Sequence, residues 1–162
     1  MKLKYGFYKR NVVNVARELL GKRLIVGNAQ GIIIETEAYG GYDDEASHAF
    51  CGVTKRNQVM FGEPGYSYVY MIYGLHHCFN IVTENSGTPG AVLIRGLRLS
   101  KIHLDGPGKL CANLGITKEH NGINLCKSNY IFLEDGIKVF HYLQTTRIGI
   151  KKATEKSWRF TL

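Results

Sequence analysis

The sequence predicts an α+β fold: one compact domain spanning residues 1–162, with a curved antiparallel sheet, a protruding β-hairpin and a few short helices. Three observations predict it. Short β-branched or aromatic runs alternate with glycine-bounded turns, helix-spaced apolar stretches are few and brief, and no repeat, low-complexity tract or Pro- or Ser-rich linker divides the chain. With 162 residues, 44% of them hydrophobic, there is enough apolar material for one well-packed core and too little for two.

Each element follows from local chemistry. Asn11 can cap a helix whose apolar residues Val12, Val15, Ala16 and Leu19 share one face, and Gly21 stops it. Arg23 to Val26 and Ile32 to Glu37 read as a hairpin around Gly27–Gly31. After a long loop from Gly40 to Pro64, Tyr66 to Tyr73 pairs with Cys78 to Val82 across Gly74-Leu75-His76-His77. A turn centred on Leu75 would set Tyr70 opposite Asn80, with Tyr73 projecting from the hairpin end. Ala91 to Arg95 is a further strand. Lys109 to Leu114 suits a short helix ended by Gly115, and Tyr130 to Val139 reads as a last hairpin turning at Asp135-Gly136.

A formal charge of +8 points to a polyanionic partner, because clustered Lys and Arg gain by releasing phosphate counterions. The cysteines Cys51, Cys78, Cys111 and Cys126 form no Cys-x-x-Cys pair, which excludes a zinc ribbon or a thioredoxin-like motif and suggests buried, reduced thiols. Met1 to Arg10 is basic without an apolar stretch, and no run reaches membrane-spanning length. A soluble, cytoplasmic monomer is expected, nucleoid-associated or, in a eukaryote, nuclear.

The chemistry concentrates between residues 35 and 95. Glu35 and Glu37, two apart in a strand, point to one face. Either the strand ends or bulges near Thr36, or one acid is buried with a partner while the other reaches a cavity, or both lie solvated on an edge strand. An acid buried beside a like charge holds its proton more tightly, which suits general-base work. The run Tyr66-Ser67-Tyr68-Val69-Tyr70-Met71-Ile72-Tyr73 is either ordinary aromatic sheet packing or the wall of a base-binding pocket. Paired carboxylates, tyrosines and Arg95 in a basic chain are what an enzyme needs to hold a flat base and break a bond beside it.

Ile34-Glu35-Thr36-Glu37-Ala38-Tyr39, Asp44-Glu45-Ala46-Ser47-His48, Arg56-Asn57, Met60-Phe61, Tyr68 to Gly74, Asn80, Leu93-Ile94-Arg95 and Gly106 to Cys111 closely resemble the alkyladenine (3-methyladenine) DNA glycosylase family, in order and from about Phe7 to Phe160. The resemblance implies a monofunctional base-excision-repair glycosylase that flips a damaged purine out of double-stranded DNA and hydrolyses its N-glycosidic bond, with no cofactor. By that resemblance Glu37 is the general base, Arg95 helps hold the attacking water, and the Ile148 carbonyl is a further ligand of it. Tyr39, His48 and Tyr70 enclose the flipped base, with Ala46 beside them, and Asn80 guards against the exocyclic amine of guanine. Tyr73 enters the minor groove with Leu75 next to it, and Arg56, Lys109 and Lys118 contact phosphates.

The sequence also departs from the family pattern. Only a shortened loop, Gly96 to Asp105, stands where the family carries a longer helical insert, and the chain stops at Thr161-Leu162; less surface for gripping DNA is expected. Two other readings therefore stand beside the glycosylase: a catalytically weak module that binds lesions, and a metal-assisted hydrolase using His48 with Glu35 and Glu37. The spacing of those residues matches no standard metal-ligand pattern.

Overall fold

Nine strands, every pair antiparallel, hydrogen-bond into one curled sheet in the computed structural model, which describes residues 1–162. Its hub is β2 (Ala29–Tyr39). One edge of β2 pairs with β5 (Ala91–Leu99), while the other pairs first with β1 (Arg23–Val26) and then with β9 (Arg159–Thr161). Changing partners part-way along an edge bends the sheet around β2. The remaining strands are β3 (Ser67–Ile72), β4 (His76–Val82), β6 (Ile102–Asp105), β7 (Ile131–Glu134) and β8 (Leu143–Thr145).

The helices α1 (Tyr5–Tyr8), α2 (Val12–Glu18) and α3 (Pro107–Leu114) are short. The expected α2 is present. Asn11 Oδ1 accepts from the Val13 and Asn14 amides, and Val12, Val15, Ala16 and Leu19 are buried. They pack with Phe79, Ile94 and Phe160 of the sheet and Leu110 of α3 in the main core. At α3, Pro107 opens the first turn and Gly115, at φ 66°, closes the last. No helix is long and apolar enough to cross a membrane.

Four expectations need correction. The β1–β2 connection is a two-residue turn, Gly27-Asn28, because Gly27 takes φ 56° and Val26 pairs directly with Ala29. In the protruding β3–β4 hairpin, Tyr73 itself adopts φ 52° before Gly74 at 69°, so the loop is Tyr73-Gly74-Leu75 and Tyr70 faces Cys78 while Tyr68 faces Asn80. Residues 96–105 are not a bare loop: β5 runs on and folds back as β6, pairing Leu99 with Ile102 and Gly96 with Asp105. The Tyr130–Val139 segment is not a hairpin. Only β7 forms there, pairing with β1, and Gly136 instead lets the chain lie against the turn at Gly21.

The thiols depart in part as well. All four cysteines are unpaired, yet Cys51 is exposed and Cys126 only half-buried.

The Gly136 contact is directly testable. A Cβ at this position would run into the Gly21 carbonyl oxygen and approach the Arg23 amide at 3.2 Å, both of them backbone atoms that cannot turn aside. Gly136→Ala is expected to lower stability by about 1–3 kcal/mol, read as a lower urea midpoint; an unchanged midpoint would show that this close approach does not exist in solution.

Candidate active site

The curl of the sheet leaves a cavity of about 430 Å³ on the face opposite α2. Strand pleating decides who faces it. Thr36 turns toward the helix, its hydroxyl donating to the Ala16 carbonyl at 2.8 Å, so its neighbours Glu35 and Glu37 turn the other way. Tyr39 and Arg95 line the cavity together with Tyr68, Tyr70 and Asn80 of the hairpin, Ala46 and His48 of the long loop, and Ile148 to Lys152 of a strap near the C-terminus.

Glu37 is completely buried. Its Oε2 accepts from the Tyr39 hydroxyl at 2.7 Å and its Oε1 from the Ile148 amide at 2.7 Å. Arg95 Nε lies 3.6 Å from the same Oε1. Since Tyr39, Arg95 and Ile148 all line the cavity, the carboxylate sits one layer behind its wall, next to the three groups that cover it. Glu35 is differently placed: its Oε1 receives Arg95 Nε at 3.1 Å and Arg159 Nε at 2.6 Å.

The opposite wall is aromatic. His48 packs edge-on to Tyr70 with ring centroids 4.6 Å apart, and its Nδ1 lies 3.0 Å from the Tyr68 hydroxyl. The imidazole is open to the cavity, but partial desolvation, and secondarily the charge of Arg56, lower its pKa below 6.5, which leaves it neutral at pH 7. Burial pushes the Tyr68 phenol up to about 12. It raises Tyr39 and Tyr70 further, with the Glu37 charge assisting at Tyr39 and Cys78 at Tyr70. The phenols therefore remain un-ionised and electron-rich. Asn80 is held by its Nδ2, which donates to the Tyr68 carbonyl at 3.0 Å and to that of Cys78 at 3.4 Å.

Two loops that line the cavity are joined by a wholly buried ion pair. Arg147 Nη1 and Nη2 meet Asp44 Oδ2 and Oδ1 at 2.7 and 2.8 Å, and Nη1 also donates to the Ala38 carbonyl at 2.9 Å. The guanidinium lies over the Tyr39 ring, 4.8 Å from its centroid, and 5.3 Å from that of Trp158. Asp44 in turn accepts from the Gly40 and Ala46 amides. Ile148, immediately after Arg147, is thereby delivered to Glu37.

The structure brings together Glu37, Arg95, Tyr39, His48, Tyr70, Asn80, Ala46 and Ile148. Tyr73 stands exposed on the hairpin tip at the cavity rim, with exposed Leu75 beside it. Arg56 lies with its guanidinium 5.2 Å from the Tyr70 ring centroid, close to the cavity. Lys109 is on α3, paired with Asp105 at 2.9 Å, and Lys118 is exposed at the start of a 3-10 turn, Lys118–His120; neither lines the cavity. His48, Glu35 and Glu37 do not gather as a metal-binding group, the acids being engaged by arginines, an amide and a phenol. Sequence reasoning missed Asp44, Arg147, Arg159, Tyr68 and the rim cations Lys151 and Lys152. Of these only Asp44 and Tyr68 stood within recognisable runs.

The profile of a protein family described as methylpurine-DNA glycosylase (MPG) matches residues 6–162. A protein of Ehrlichia ruminantium (strain Welgevonden), provisionally named 3-methyladenine DNA glycosylase, is 51% identical over 166 residues, covering 99% of this chain and 88% of the relative. Relatives bearing the same provisional name from the Wolbachia of Brugia malayi and of Culex pipiens (strain wPip) are 52% and 54% identical, over 97% and 96% of this chain and 95% and 86% of their own lengths.

The Asp44–Arg147 pair makes stability depend on pH in a defined direction. Burial alone would raise the Asp44 carboxyl, but hydrogen bonds from Arg147 and from the Gly40 and Ala46 amides, with the Arg147 charge, hold it below its ordinary 3.8. A depressed folded pKa contributes stability that is fully present above the unfolded value and is lost as pH falls through the folded one. Asp44→Asn leaves Arg147 buried and unpaired, so it is expected to cost about 3–5 kcal/mol at pH 7 and to flatten the acid side of the stability curve. Urea titrations between pH 2 and 7 measure both; equal acid slopes in the two proteins would remove Asp44 from that role.

Proposed function

The chain belongs to the methylpurine-DNA glycosylase family, and we propose from this that it takes alkylated or deaminated purines out of double-stranded DNA and hydrolyses their N-glycosidic bonds without cleaving the strand. The observation that carries the reading is the pairing of an aromatic cavity with a fully buried carboxylate directly behind its wall.

Recognition follows from charge. A purine alkylated at N3 or N7 is cationic, and the faces of Tyr39 and Tyr70 attract it by roughly 0.5–2 kcal/mol. A neutral His48 completes the cage without repelling the cation. Extrusion costs a few kcal/mol and costs least for a damaged or mispaired base. Exposed Tyr73, already at the hairpin tip, fills the stack that the base vacates. Arg56 stands beside the cage for a phosphate, with Lys109 and Lys118 as more distant contacts.

Hydrolysis uses the other wall. A water held at the Tyr39–Arg95–Ile148 edge, with the Ile148 carbonyl as one acceptor, attacks C1′ of the sugar. Its proton passes to Glu37, the C1′–N bond breaks, and the bonding electrons leave with the purine. A cationic purine accepts them readily and departs neutral without an acid, whereas a neutral, deaminated purine departs as an anion that takes its proton from water. Asn80, pinned by two backbone carbonyls, cannot swing aside for the exocyclic amine of guanine.

Two substitutions test this reading. Glu37→Gln keeps size and removes the base, so release of 3-methyladenine from methylated DNA is expected to fall by about 10²–10⁴-fold while lesion binding persists; near-normal release would sink the assignment. Asn80→Ser opens the guarded corner and is expected to increase release of undamaged guanine relative to methylated purine, measured by chromatography of the freed bases. An unchanged ratio would show that Asn80 guards nothing.

A further inference from the structure

Arg95 occupies an irregular place in the sheet. Along β5, Ile94 pairs with Thr36 and Gly96 with Glu35, so Arg95 between them has no partner across the strand. A bulged residue is not aimed by the pleat. Its carbonyl accepts from the Gly106 amide at 2.8 Å on the β6 side, while on the β2 side its side chain is turned by what it meets. The Arg95 side chain makes one hydrogen bond within the protein, from Nε to Glu35 Oε1 at 3.1 Å, which leaves both terminal nitrogens of a cavity-lining guanidinium unengaged.

Glu35 is itself held. Arg159, directly across from Glu37 on β9, sends its Nε diagonally to Glu35 Oε1 at 2.6 Å, and its Nη1 donates to Thr145 Oγ1 of β8 at 2.9 Å. The four charges alternate, Arg159–Glu35–Arg95–Glu37, and Arg95, Glu35 and Arg159 are each at most one-fifth exposed while Glu37 is not exposed at all. Without Arg159, two carboxylates would compete for one arginine that has no partner on β2.

We propose that Arg159 and Glu35 are positioning residues for base excision: Arg159 anchors Glu35, and Glu35 holds the bulged Arg95 with its terminal nitrogens free toward the cavity and its Nε beside Glu37. The inference rests on the glycosylase reading for its kinetic consequences and on the sheet geometry for the rest. It also has an electrostatic signature. The groups facing Glu37 are Tyr39 from its own strand, Arg95 from β5, and the Ile148 amide and Arg147 from the strap; Glu35 is the like charge nearby, and Arg159 neutralises it. Removing Arg159 exposes Glu37 to the Glu35 charge and favours protonation of the base, whereas removing the Glu35 charge does the reverse.

The test uses Arg159→Gln, Arg159→Lys and Glu35→Gln in the full chain, with single-turnover base release, affinity for lesion DNA, the pH–rate profile and the nitrogen-15 resonance of the Arg95 Nε–H group. Arg159→Gln is expected to slow release roughly tenfold or more while changing DNA affinity less than about threefold. Its acid limb should move to higher pH and its Arg95 Nε–H signal should shift. Arg159→Lys restores most of the rate and the profile, and Glu35→Gln moves the acid limb to lower pH. Folded Arg159→Gln with wild-type rate, profile and Arg95 resonance overturns the proposal, as do acid limbs that move the same way in Arg159→Gln and Glu35→Gln. Should Arg159→Gln fail to fold, Glu35→Gln decides by the same resonance and the direction of its limb. A wild-type protein that releases no base refutes the glycosylase reading instead, and the Arg95 resonance then decides the positioning claim alone.

Discussion

A carboxylate with no solvent exposure cannot stand alone in the middle of a strand, because an unpaired buried charge costs far more than folding leaves in reserve. Glu37 is such a group, and much of the architecture supplies its donors. Tyr39 comes from two positions along the same strand, Arg95 from the paired strand β5, and the Ile148 amide from a segment 111 residues away. The first follows from strand pleating, and the second from the Glu35 carboxylate that holds the bulged arginine. The third requires the C-terminal strap to be tied down, and that tie is Arg147 on Asp44. Burial of one acid thus couples the longest strand, the loop after it and the end of the chain.

The same coupling explains why the two sides of the cavity differ. The hairpin side is built from neutral aromatic rings whose hydroxyls find local partners, such as Tyr68 with His48. The strand side is ionic and depends on contacts distant in sequence. On the proposed reading, binding and bond breaking can therefore be altered separately: the ring wall decides what is held, while the ionic wall decides what happens to it.

Legibility in the sequence followed the range of the interactions. Helix α2 was readable because its cap and apolar spacing lie within nine residues, and the β3–β4 hairpin because its aromatic alternation is local. Its register was not, since no rule leads one to expect a tyrosine at φ 52° next to Gly74. Asp135-Gly136 carries the signature of a hairpin turn, yet the glycine serves close packing on Gly21, two uses that look alike in one dimension. The cavity residues stood within compact motifs and surfaced together. Arg147 and Arg159, whose partners lie 103 and 124 residues back, left no local trace. Glu35 was visible beside Glu37 but its partner was not, and of the open readings of that pair the bulge is the one present, with both acids turned inward.

The short hairpin between β5 and β6 adds a point about size. β6 pairs with β5 alone and turns through Ser100-Lys101, so its length is not coupled to the register of any other strand. Extending or trimming it shifts no residue of the cavity walls, whereas adding one residue to β2 would move Glu37 to the opposite face of the sheet. The fold thus has one place where chain length can change without moving the cavity and another where it cannot, and the strand between them, β5, carries Arg95.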